Sequence, residues 1–207
     1  MAGPGTLDGV SRRRIRRTSA ALAALLAAGL GAAACATGSD AVDPTAGGEF
    51  RFVAGDGTGT LIPAADRKPA PHFTGGYLGG GDFDSASLAG TVVVINFWGS
   101  WCGPCRVEAP AFQTVYAETR TKGVDFLGVN VKDSDQAARA FLDNKKITYR
   151  SLYDPDGRVA LAFRGFPPNA IPSTIFLDRH GRVAEVHLGT MLAGDLDPIL
   201  SQLTAEP

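Results

Sequence analysis

The segment Val92-Val93-Val94-Ile95-Asn96-Phe97-Trp98 is β-branched and apolar almost throughout, the pattern of a strand buried on both faces. Val124–Val131 is a second such run. Tyr149–Tyr153 and Ser173–Leu177 read as shorter strands. Arg182–Leu188 alternates Val183, Val186 and Leu188 and returns antiparallel after the turn Asp178-Arg179-His180-Gly181. Helical spacing fills the gaps. A first helix is predicted from about Gly103 to Thr121, with Val107, Ala111, Phe112 and Val115 as its buried stripe, a kink at Pro110 and a stop at Gly123. Ser134 caps a second helix carrying Ala137, Ala138, Phe141 and Leu142. A third follows Asp156-Gly157 through Val159, Leu161 and Phe163, and a last runs from Asp195 to Leu203. Upstream, Phe73–Tyr77 and Asp82–Asp84 form a small hairpin around Gly79–Gly81, and Phe50–Val53 reads as a short edge strand. From residue 91 the order is β-α-β-α-β-α-β-β-α. Parallel crossovers followed by a hairpin imply an α/β domain: one mixed sheet with helices on both faces.

The pattern before residue 69 is different. Arg12–Arg17 is a basic cluster followed by an Ala/Leu/Gly-rich stretch from Ala20 to Ala34, too short for a comfortable membrane span and typical of an export signal. Ala32-Ala33-Ala34-Cys35 looks like the lipobox of bacterial lipoproteins, in which the cysteine is acylated. Ser11–Ile15 also looks like part of a twin-arginine signal. The division expected is an export signal at 1–34, a small-residue tether at 35–68 and a globular domain at 69–207. With 20 basic and 21 acidic residues, the chain has no basic field to attract nucleic acid. It has three cysteines, and an odd thiol in an exported protein needs a use. Acylation of Cys35 supplies one, placing the protein on the extracytoplasmic side of the cell membrane as a lipid-anchored domain.

Cys102 and Cys105 stand two residues apart where the first strand gives way to the first helix. The free N–H groups and positive dipole end of that helix favour a thiolate at the first sulfur. Three readings compete: a redox dithiol, a zinc pair and a static disulfide. Zinc needs two further ligands, and His72, His180 and His187 do not supply the spacing. A static disulfide over so short a loop stabilises little. Gly79–Gly81 lacks the strand and helix of a phosphate loop.

Trp101-Cys102-Gly103-Pro104-Cys105 after an apolar strand, with Ile171-Pro172-Ser173-Thr174 before another, resembles the thioredoxin superfamily. Ala70-Pro71-His72-Phe73, Asn96-Phe97-Trp98, Glu108-Ala109-Pro110, Ser134–Lys145 and Asp178–Gly181 narrow the resemblance to the TlpA/ResA-like family of membrane-tethered thiol-disulfide oxidoreductases. The likeness covers roughly residues 69–203 and implies a thioredoxin-like fold with an N-terminal hairpin extension and a central helical insertion. By that likeness Cys102 is the nucleophile and Cys105 the resolving thiol. Pro172 is a cis-proline beside them. The Ile171 backbone pairs with substrate, and Trp101 forms an apolar wall. Glu108 moves protons, against the plainer reading of an acid that complements the helix dipole. His180 and His187 are expected to be structural. No cofactor beyond the Cys102–Cys105 disulfide and no metal is implied. Implied partners are protein disulfides, among them apocytochrome c, and a membrane thiol-electron donor. The alternatives are a disulfide-forming oxidase, a thiol peroxidase and a non-catalytic binding lipoprotein.

Overall fold

The computed structural model describes residues 59–164 and 170–207. The basic leader, Cys35, the tether as far as residue 58 and the predicted strand at Phe50–Val53 lie outside the described residues. In chain order the elements are β1 (Thr74–Tyr77), β2 (Asp82–Asp84), β3 (Val92–Trp98), α1 (Gly103–Thr119), β4 (Val124–Val131), α2 (Asp135–Lys145), β5 (Ser151–Asp154), α3 (Arg158–Ala162), β6 (Ser173–Leu177), β7 (Val183–Leu188) and α4 (Ala193–Ala205). One sheet holds all seven strands in the order β2-β1-β5-β4-β3-β6-β7. The mixed α/β architecture matches the sequence pattern. The β1–β2 hairpin is the N-terminal extension, and α2 is the helical insertion between β4 and β5.

The run β3-β4-β5 is parallel, whereas β6 pairs antiparallel with β3 and β7 antiparallel with β6. The third connection is therefore not the parallel crossover expected. The end of β5 and the start of β6 lie at the same end of the sheet. Ser173, the first residue of β6, consequently pairs with Phe97 near the end of β3. This reversal carries the segment before β6 to the place where β3 hands over to α1.

Period-2 alternation sorts the strands between two cores. Val93, Ile95 and Phe97 of β3 join Leu127, Val129, Leu152, Ile175 and the rings of Phe73, Phe83 and Phe163 on one face. Val92 and Val94 join Phe126 and Phe176 beneath Phe112 and Val115 of α1 and Leu196, Leu200 and Leu203 of α4. Each such side chain contributes about 1.5–3 kcal/mol when fully buried. A third cluster sits at the site end of that second face: Trp98 stacks on Phe141 of α2, beside Cys102, Cys105, Ala109 and Ala138.

The buried face of α1 consists of Cys105, Glu108, Ala109, Phe112 and Val115. Val107, expected in the stripe, is 63% exposed. Once Cys105 is turned inward, the positions three, four, seven and ten residues later follow it, and Val107 falls on the far side. The helix continues through Pro110 to Thr119. Leu161 and Ala137 are likewise exposed, and β5 begins at Ser151 rather than Tyr149.

The chain enters the domain along the edge strand β7. Ile62 donates its N–H to the Ala184 carbonyl at 2.7 Å, and Val183 donates to the Lys68 carbonyl at 2.8 Å. These bonds cover backbone groups that an open sheet edge leaves unpaired. Between them Arg67 is buried. Its guanidinium bonds Asp178 at 3.2 Å and Glu206 at 2.8 Å, tying the entry segment to the β6–β7 turn and the C-terminus.

Candidate active site

Strand β3 delivers its last residue, Trp98, to a turn closed by the Cys102 N–H donating to the Gly99 carbonyl at 3.1 Å. Cys102 is the N-cap of α1, and its Sγ accepts the Cys105 backbone N–H at 3.2 Å. Pro104 occupies the first helical turn, where its missing N–H breaks no bond. Cys102 and Cys105 form a disulfide. Both are buried, at 3% and 1% exposure. The chain thus places two sulfurs at the positive end of a 17-residue helix, where negative charge on Cys102 is stabilised.

The Ile171–Pro172 peptide is cis, and the Ile171 carbonyl oxygen lies 3.7 Å from Cys102 Sγ. The Pro172 carbonyl accepts the Gly189 N–H at 3.0 Å, which fixes the loop after β7 beside it. The antiparallel entry of β6 is what brings these residues to the dithiol.

Glu108 lies one helical turn after Cys105 on the same buried face. It is 1% exposed. Its Oε1 accepts the Asn96 side-chain amide at 2.9 Å, and its Oε2 accepts the Met191 N–H at 3.3 Å. Burial pushes its carboxyl up to about 7, outweighing the opposing effect of those two donors. An acid in that range exchanges its proton near neutral pH. Tyr149, also buried, is pushed up by burial and by the charge of Glu108.

Trp101 is 54% exposed. Its ring is folded back over Gly99, where a Cβ would come within 2.5 Å of the indole nitrogen. Its Nε1–H donates to the Val131 carbonyl at 3.3 Å. It forms a rim fastened to the end of β4. His187 stands on β7, its Nδ1 accepting the Gly59 N–H at 3.4 Å, and His180 lies in the β6–β7 turn; neither touches the sulfurs. Cys35 falls outside the described residues. Among those residues, no three His, Cys, Asp or Glu side chains are grouped to hold a metal ion.

The structure thus gathers Cys102, Cys105, Glu108, Ile171, Pro172 and Trp101 at one end of the sheet. It adds residues to which sequence reasoning gave no role in the site. Asn96 is the one polar position in β3, and that interruption was its signal. Met191 contributes only a backbone N–H and left none. Ser100 and Asp133 join the turn before Cys102 to the loop after β4.

Chemically, the arrangement is a cysteine pair at a helix N-terminus, with a buried carboxyl one turn behind it and the Ile171 carbonyl in front. Residues 67–186 match the AhpC/TSA family model. The chain is 32% identical over 127 residues to the thiol-disulfide oxidoreductase ResA of Bacillus subtilis (strain 168), covering 61% of this chain and 69% of that one. It is 29% identical over 121 residues to ResA of Oceanobacillus iheyensis, covering 58% of this chain and 62% of that one, less than two thirds of the relative's length. Among solved structures, it resembles a secreted thiol-disulfide isomerase from Corynebacterium glutamicum, with a TM-score of 0.71, 34% identity, and coverage of 77% of this chain and all of that one. A DsbF homologue from Corynebacterium diphtheriae superposes with a TM-score of 0.68 at 33% identity, covering 72% and 95% of the two chains. With its thioredoxin-like fold, the chain belongs to the AhpC/TSA family and, within it, to the ResA-like thiol-disulfide oxidoreductases.

Proposed function

We propose that this protein reduces disulfides in other proteins outside the cytoplasm, held at the membrane by a lipid on Cys35. The observation that carries the reading is the placement of the Cys102–Cys105 pair between the Ile171 carbonyl, 3.7 Å from Cys102 Sγ, and the buried acid Glu108. No cofactor beyond the cysteine pair enters the reaction.

In the reduced enzyme the Cys102 thiolate attacks one sulfur of a substrate disulfide. That S–S bond breaks, a mixed disulfide forms, and the other substrate sulfur leaves as a thiolate and takes up a proton. Glu108 accepts the proton of Cys105, whose sulfur then attacks Cys102 Sγ. The mixed bond breaks, Cys102–Cys105 closes, and the second substrate sulfur leaves. Two electrons pass to the substrate. Pro172 and the Ile171 backbone hold the incoming segment beside the sulfurs, and Trp101 supplies an apolar rim. A membrane thiol-electron donor returns the pair to the dithiol.

The family likeness points to the haem-binding cysteines of apocytochrome c as the substrate, kept reduced for cytochrome c maturation. Trapping tests this: Cys105→Ser leaves Cys102 without a resolving thiol and should accumulate a mixed disulfide with apocytochrome c. Capture of no protein would count against a protein substrate. Equal membrane fractions for the native chain and Cys35→Ser, without palmitate labelling, would overturn the anchor. A second reading, formation or rearrangement of disulfides, draws support from the likeness to the secreted isomerase. The reduction potential separates the two: about −270 mV or lower supports reduction, and about −120 mV supports oxidation.

A further inference from the structure

One carboxylate joins the turn that carries the nucleophile to the loop between β4 and α2. Asp133 Oδ2 accepts the Ser100 backbone N–H at 2.6 Å and the Asn130 side-chain amide at 3.0 Å. Asp133 Oδ1 accepts the Ser100 hydroxyl at 2.9 Å and the Ser134 N–H at 2.9 Å. Each oxygen takes two donors, the full acceptor capacity of a carboxylate. The Asp133 carbonyl accepts the Tyr153 hydroxyl at 3.1 Å. Lys132, just before it, has a left-handed φ of 50°, a conformation uncommon for a side chain that is not glycine. That bend turns the chain back towards Ser100. Burial alone would raise the Asp133 carboxyl; the donors outweigh it and hold the group below its ordinary 3.8.

Asp133 touches neither sulfur. Its grip is on Ser100, two residues before Cys102 and one before Trp101. The Trp101 indole in turn bonds the carbonyl of Val131, the last residue of β4. The turn is thereby held at two points, to the loop by the carboxylate and to the end of β4 by the ring. A charge-assisted bond to a backbone N–H is among the stronger fixings available to a loop. Fixing the rim before contact reduces the ordering cost when a protein substrate docks.

We propose that Asp133 is a positioning residue for protein substrates: through Ser100 it holds the Gly99–Trp101 turn so that Trp101 and Cys102 present a preformed docking edge. This rests on the thiol-exchange reading above. A folded protein disulfide must engage the rim as well as the sulfur. A small disulfide needs only the sulfur. The clamp therefore acts mainly on reactions with proteins.

The test compares the full chain with Asp133→Asn, which places an amide N–H against donors. Each reduced protein is assayed with insulin and with hydroxyethyl disulfide, and acrylamide quenching reports tryptophan exposure. The expected result is a tenfold or larger fall in kcat/KM for insulin, a fall below threefold for the small disulfide, and stronger quenching as Trp101 loosens while Trp98 stays buried. The double variant Asn130→Asp/Asp133→Asn restores the bond between those two side chains but leaves the Ser100 N–H facing the donor NH2 of the introduced amide. It should stay slow on insulin. Recovery there, or equal losses on both substrates in either variant, would overturn the proposal. If Asp133→Asn does not fold, Ser100→Ala removes one of the four donors and should lower the insulin rate about threefold, with the small-disulfide rate less affected; an unchanged ratio overturns the proposal. A native chain that exchanges with neither disulfide would overturn the oxidoreductase reading itself, an outcome distinct from any change in the ratio.

Discussion

The Asn96 side-chain amide donates to Glu108 Oε1 at 2.9 Å, so the polar residue of a buried strand holds the acid that lies behind the dithiol. The same Nδ2 is 3.4 Å from Thr174 Oγ1 on β6. Amide, acid and hydroxyl thus bridge three elements at the site end of the sheet. Removing the charge while keeping the shape should show what the acid does to the sulfurs.

Glu108→Gln should lower the apparent thiol pKa of the reduced enzyme. An ionised carboxylate opposes a nearby thiolate, and Glu108 ionises as pH rises through about 7. The native enzyme should therefore show an extra inflection near pH 7 in its alkylation rate with iodoacetamide, and the variant a single smooth titration. Superimposable profiles would remove Glu108 from the proton path.

Glu185 offers a test of stability alone. It is 1% exposed, both carboxyl oxygens lack a hydrogen-bond partner among the described residues, and burial pushes it up to about 7. A raised carboxyl binds its proton more tightly in the folded than in the unfolded chain. Stability is therefore highest below the ordinary 4.5 and declines as pH rises to about 7. Glu185→Gln should be more stable than the native chain by about 2–3 kcal/mol at pH 8, with the difference vanishing at pH 4. Urea unfolding at the two pH values measures it.

The buried guanidinium of Arg67 should behave in the opposite sense. Its bonds to Asp178 and Glu206 hold Glu206 below the usual carboxylate range, and Asp178, which also bonds Arg182, is likewise lowered. Lowered carboxyls stabilise the fold above their ordinary values, and that contribution is lost as pH falls through the lowered ones. Arg67→Met leaves Asp178 buried with one partner fewer and should cost about 3 kcal/mol at pH 7. The deficit should shrink steadily in acid denaturation curves.

Gly128 is glycine because of what lies against it. A Cβ there would come within 2.0 Å of Ser151 Oγ and 2.8 Å of the Trp98 indole nitrogen. Gly128→Ala should destabilise by about 1–3 kcal/mol. Ser151→Ala in the same chain removes the nearest atom and should recover part of the loss. A double-mutant cycle showing simple additivity would mean the two positions do not share that space.

How much of this was legible in the chain depends on range. The strands of the core, the dithiol at a helix start and the proline before β6 are local patterns, and apart from the shifted start of β5 each stands where its residues predicted. The rotation of α1 was not legible, because it is set by which face of Cys105 meets the sheet; Val107 looked as apolar as Val115. The direction of β6 depends on how the segment before it is routed, which no periodicity encodes. Asp133 stands just before a capped helix and carries no local signal of its own. Its role depends on Ser100, 33 residues earlier. The Met191 contact to Glu108 uses backbone alone, which every residue but proline offers.

That backbone contact makes Met191 a built-in reporter. Its N–H points at Glu108 Oε2, so the nitrogen and proton resonances of this one amide should move as the acid gains or loses charge. A loop residue 83 positions away in sequence would then record the protonation of the catalytic end of the molecule in each redox state, with no label placed near the sulfurs.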